Sequence, residues 1–127
     1  MEALKTLFVL FVGGGVGTLL RYGLSQLLNP MSMHFYWGTF GVNAIGSLVL
    51  GIVVGLGLNN NVFAGQPLYS FLVVGVCGGF TTFSTFALEN QGLLKNGLYL
   101  EFGLYAVASM AAGILAITAG LWLSRML

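Results

Sequence analysis

Charge is what this 127-residue chain has least of, with 6% of its residues charged against about 25% in an average soluble domain. Only Glu2, Lys5, Arg21, Glu89, Lys95, Glu101 and Arg125 carry a formal charge, while 57% of the residues are hydrophobic. A soluble fold of this size has no means of covering its surface with that composition. A net charge of +1 offers no basic face to neutralise phosphates, so nucleic-acid binding is excluded. Cysteine is nearly absent too: Cys77 stands alone, which rules out an intrachain disulfide and a cysteine-based metal site and leaves a small packing residue. The single histidine, His34, has no second ligand nearby and reads as a solvent or headgroup position. No His-carboxylate pair, no Cys/His pair at useful spacing and no phosphate-binding glycine loop is present, so an enzyme is not expected.

What the chain has in quantity is long apolar runs. About 20 apolar residues cross a hydrocarbon core of about 30 Å, and four runs of that size stand between turn signals. They are expected at about 4–28, 36–58, 67–94 and 98–123, as one all-helical membrane domain. Asn29-Pro30 closes the first, Tyr36-Trp37 opens the second with interfacial aromatics, and Pro67 suits a first helical position. The N-terminal run is longer than a signal-peptide core and lacks a small-residue cleavage site, so it is expected to remain as a helix. Four spans put both termini on one side, with Lys5 and Arg125 there and Lys95 and a snorkelling Arg21 opposite. Orientation follows a Lys/Arg imbalance, and two against two is none. Such a balance permits insertion both ways and hence an antiparallel dimer. Gly13/Gly17, Gly51/Gly55 and Gly75/Gly79 fall at the spacing of close helix contact, either within one chain or between two.

Polar groups inside the runs are few and grouped. Residues 77 to 86 read Cys-Gly-Gly-Phe-Thr-Thr-Phe-Ser-Thr-Phe, a poor lipid-facing helix. Gly78-Gly79 is the expected break point of the third span, and backbone freed at membrane depth must meet protein, an ion or a water-filled cavity. The structural alternative is a kinked but continuous helix. Thr81, Thr82, Ser84 and Thr85 are too many hydroxyls to be explained by back-bonding alone, and the edges of Phe80, Phe83 and Phe86 carry the positive part of the ring quadrupole. On the second span Thr39, Asn43 and Ser47 share one face, with Asn43 either gluing helices or contacting an ion. On the fourth, Tyr105 and Ser109 are one turn apart. Arg21 lies inside the first span as a snorkelling residue or an anchor, and we expect anchoring without a part in conduction. Glu89 is expected near an interface.

Three stretches together carry a resemblance: Gly-Gly-Gly-Val-Gly-Thr-Leu-Leu-Arg-Tyr at 13–22, Gly-Thr-Phe-Gly-Val-Asn-Ala-Ile-Gly at 38–46 and Gly-Gly-Phe-Thr-Thr-Phe-Ser-Thr-Phe at 78–86. In this order on a four-span chain, they resemble the Fluc (CrcB) family of fluoride channels over essentially its whole length. The resemblance implies a passive, fluoride-selective channel of the bacterial inner membrane that exports fluoride and so limits its toxicity. It also implies an antiparallel, dual-topology homodimer with two pores and a structural Na+ at the dimer centre, held by the backbone carbonyls of Gly78 and Thr81. Asn43, Phe83 and Phe86 match the family's pore-lining residues, and Ser84 and Thr85 its polar track. Thr39, Tyr105 and Ser109 are further pathway candidates, and Arg21 matches its first-helix arginine. Two other classes remain to be weighed. A small dual-topology multidrug transporter relies on an acidic residue in the first helix, and residues 6 to 28 contain none; a purely structural membrane protein leaves the polar stripes unexplained.

Overall fold

The computed structural model describes residues 1–29 and 35–127, so His34 lies outside the described residues. Four helical spans of 27, 23, 29 and 26 residues dominate it: α1 (Glu2–Leu28), α2 (Trp37–Asn59), the composite third span Pro67–Lys95, and α7 (Tyr99–Ser124). Each is long and apolar enough to cross a membrane; at 1.5 Å per residue even the shortest reaches about 35 Å. No strand occurs among the described residues. The short α3 (Asn61–Ala64) and α4 (Pro67–Ser70) join the second span to the third.

The sequence explains where these helices stop. The Asn29 side chain accepts the Gly38 N–H at 3.1 Å, so the residue that closes α1 also caps the start of α2. Asn60 Oδ1 accepts the N–H groups of Val62 and Phe63 at 3.0 and 3.2 Å, turning the chain into α3. After the third span, Gly97 takes a left-handed φ of 72°. Leu98 N–H then reaches the Leu93 carbonyl at 2.9 Å, a helix stop that only glycine makes without strain.

Packing runs along two seams of small residues. A Cβ on Gly13 would lie 2.8 Å from the Phe71 carbonyl oxygen, and one on Gly17 would collide with the Val76 carbonyl, so α1 rests on the third span through bare backbone. On the other side α2 meets α7, where a Cβ on Gly51 would sit 2.5 Å from the Ile117 carbonyl oxygen and 3.1 Å from Gly120 Cα. Gly75 and Gly79 in turn face Gly13 and Gly14, and Gly55 faces Ser124. The three glycine pairs are therefore used within one chain, where close approach replaces the hydrophobic drive that lipid cannot supply. One third of the α2 span is buried (33%), against 11%, 11% and 6% of the others, which makes α2 the central helix. Its Val42 and the facing Tyr105 of α7 are fully buried.

Candidate ion pathway at the broken helix

The third span is not one helix. After α4 it continues as a π-helical stretch over Phe71–Cys77 and a short turn, α5 (Gly78–Phe80), then opens at Thr81 with φ −83° and ψ 157° and resumes as α6 (Ser84–Lys95). The interruption thus falls just beyond the glycine pair. Gly79 is held against the Gly14 backbone of α1, so it serves the seam while the chain opens at the threonines.

In a continuous helix the five N–H groups of Thr82, Phe83, Ser84, Thr85 and Phe86 would donate to the carbonyls of Gly78, Gly79, Phe80, Thr81 and Thr82. Here Thr82 N–H donates to Asn43 Oδ1 at 2.7 Å and Thr85 N–H to Thr82 Oγ1 at 3.3 Å. Two of the freed carbonyls are recaptured by side chains: Arg21 Nε donates to Gly79 at 3.0 Å, and Asn43 Nδ2 to Thr82 at 2.9 Å. No donor among the described residues reaches the carbonyls of Gly78, Phe80 and Thr81. Gly78 is exposed and Thr81 half-buried.

The hydroxyls divide in the same way. Thr81 Oγ1 bonds back to the Cys77 carbonyl at 2.9 Å, the local fate that a membrane threonine commonly finds, and Thr82 caps α6. Ser84 is exposed on the protomer, and Thr85 lines a cleft. Phe83 is 79% exposed, whereas Phe86 is half-buried with its ring centroid 6.1 Å from that of Phe83 and 5.2 Å from that of Tyr105. Phe35 and Tyr36 complete the ring cluster about Tyr105, at 5.1 and 5.5 Å. Inside this cluster the Tyr105 hydroxyl is buried without a partner, and so is Ser109 Oγ one turn along. Unpaired polar atoms are uncommon in protein interiors, and these two are donors in want of an acceptor.

The cleft has a volume of about 400 Å³ and is lined by Thr18, Arg21, Tyr22 and Ser25 of α1, Thr39 of α2, and Thr85 and Glu89 of α6, among others. Thr39 Oγ1 donates to the Glu89 carboxylate, and Arg21 brings the opposite charge. Among the described residues no group of three or more His, Cys, Asp or Glu is arranged to hold a metal.

The family description "CrcB-like protein, Camphor Resistance (CrcB)" matches residues 8–121, which takes in both seams, the break and the cleft. The chain belongs to the CrcB family. It is 40% identical to the fluoride-specific ion channel FluC of Phocaeicola vulgatus over 123 residues, covering 96% of this chain and 100% of the relative. The proteins of the same name from Bacteroides fragilis and Gloeothece citriformis are 42% and 43% identical over 126 and 124 residues, with 96% and 94% of this chain and 98% and 96% of the relatives covered.

Within this CrcB chain the structure brings Asn43 to the break, Thr39 to the cleft, and Tyr105 and Ser109 to the ring cluster, while Phe83, Ser84 and Gly78 face outward. Arg21 is held at the middle of the third span, not at the interface. Sequence reasoning missed Glu89 as a partner of Thr39, although Glu89 follows Thr85 by one turn and so shares its helix face. Thr18, Tyr22 and Ser25 carry the same kind of signal, recurring with Arg21 at three- and four-residue intervals along α1. Phe35 and Tyr36 left no comparable mark, because they reach Tyr105 from outside any regular helix.

Proposed function

We propose that this multi-pass membrane protein is a passive fluoride-selective channel. The observation that carries the reading is the set of donor-free carbonyls at Gly78, Phe80 and Thr81, with Gly78 exposed, in the middle of a membrane span. Lipid cannot satisfy them, and each would cost several kcal/mol there. A second copy of the chain, laid antiparallel across this face, covers them and makes Phe83 and Ser84 part of an interior wall. Each homodimer then has two pores, one beside each break. Lys5 and Arg125 near the chain ends, Lys95 at the opposite end and Arg21 between give only a weak bias to one orientation, which supports dual topology.

The carbonyl oxygens of Gly78 and Thr81 from both subunits fit a hard monovalent cation, Na+, at the dimer centre; unwound backbone is a recurrent source of such ligands. When bound, the ion supplies positive charge that holds the freed carbonyls together. The fluoride path itself rests on this chain's own groups. Fluoride keeps its water tightly, so passage needs donors that replace hydration without binding too strongly. The unpaired hydroxyls of Tyr105 and Ser109, the remaining Asn43 amide proton, Ser84, Thr85 and the edges of Phe83 and Phe86 are moderate donors of that kind. Thr39 and the cleft lead toward them. The membrane potential, worth about 2.3 kcal/mol per charge per 100 mV, drives an anion out of a negative-inside bacterial cell across its inner membrane, which lowers internal fluoride and its toxicity.

Fluoride release from liposomes at clamped potential tests the reading. A rate that follows the imposed voltage and ignores a proton gradient is expected. Release that requires a proton gradient would favour a small multidrug-type exchanger, and no release at any voltage a structural role; α1 has no acidic residue beyond Glu2 at its start, against the exchanger.

A further inference from the structure

Of the five carbonyls freed by the break, those of Gly79 and Thr82 are taken by side chains, while those of Gly78, Phe80 and Thr81 have no donor among the described residues. The bonded pair is pulled toward α1 and α2, within the protomer. Gly78 is exposed and Thr81 half-buried. Gly79 lies between them in the chain, so fixing its carbonyl restrains the peptide units that carry the other two.

We infer that Arg21 is a positioning residue for the cation site: by holding the Gly79 carbonyl it turns the Gly78 and Thr81 carbonyls toward the ion. This rests on the reading that Na+ binds there. Its sign is distinctive. Arg21 places a positive charge near a cation site, so charge alone predicts that its removal tightens Na+ binding. If Arg21 acts by holding the backbone, its removal loosens binding, because the ligand carbonyls lose their fixed direction. Groups that orient metal ligands typically contribute about 10- to 100-fold to affinity. The planar guanidinium reaches Gly79 through Nε at 3.0 Å, a geometry that the flexible ammonium of lysine does not reproduce. Packing within the chain adds to the restraint, because Gly79 also lies against the Gly14 backbone.

The test is the thermal unfolding midpoint of the purified full-length protein, measured against Na+ concentration at constant ionic strength, since a ligand bound only by the native state raises that midpoint by mass action. For Arg21→Met, which keeps length and loses the donor, the half-saturating Na+ concentration is expected to rise about tenfold or more. Arg21→Lys keeps the charge and should shift it by a few-fold; it carries the test alone if the Met variant does not assemble. A uniform loss of stability with an unchanged or lowered Na+ midpoint would overturn the positioning role while leaving the cation site standing. An unmutated protein indifferent to Na+ would remove the cation reading and this inference with it.

Discussion

The seam between α2 and α7 and the break between α5 and α6 use the same small residue to opposite ends. Along the seam, Gly51, Gly55 and Gly120 bring α2 and α7 to close contact, and both run as uninterrupted α-helices. At the break, the glycine pair lies in the turn just before the opening, and the helix beyond gives up its own bonds to Asn43 and Thr82. One region pairs its backbone within the chain; the other leaves carbonyls without a donor among the described residues. Stability and chemistry are thereby separated along one molecule, and substitutions should separate them too.

The largest effect should come from the seam. Gly120→Val pushes a branched side chain into the Leu48 carbonyl, where backbone cannot yield; overpacking of this kind costs about 3 kcal/mol, and we expect no monodisperse protein on gel filtration. Asn43→Leu comes next. It strips both bonds from Thr82 and leaves a half-buried donor and acceptor unmet, at about 1 kcal/mol each, so unfolding should occur at lower temperature and flux should fall as well. Phe83→Ile and Phe86→Ile should leave assembly intact while cutting fluoride flux about tenfold, a rise of about 1.4 kcal/mol in the barrier. Equal flux in both variants would deny the rings any part. The smallest change in stability is expected for Tyr105→Phe: its hydroxyl has no partner, so unfolding should shift by less than about 1 kcal/mol in either direction, while flux declines if that hydroxyl serves the ion.

Much of the fold was legible in the sequence because the forces that shape it act locally. Asn29-Pro30, Asn59-Asn60-Asn61 and Pro67 mark helix ends by chain chemistry alone, and apolar length marks the spans. The glycine pairs were visible, but whether they served one chain or two was not, since small residues signal close approach without naming the partner. The break was expected near Gly78-Gly79 and lies just beyond that pair, at Thr81–Phe83, where Asn43, 39 residues away, bonds to Thr82. No local pattern contains that pairing. Arg21 was legible as an anchor candidate, yet its target, the Gly79 carbonyl, is set by the α1 seam. Glu89 read as an interfacial acid because its partner Thr39 sits on another helix.

Efflux of fluoride and of chloride from the same liposomes bearing the unmutated protein tests the central claim most directly. The account predicts rapid fluoride loss down its gradient with chloride retained, because moderate donors at the break replace the water of a small anion and not of a large one. Chloride leaving as fast as fluoride would contradict it.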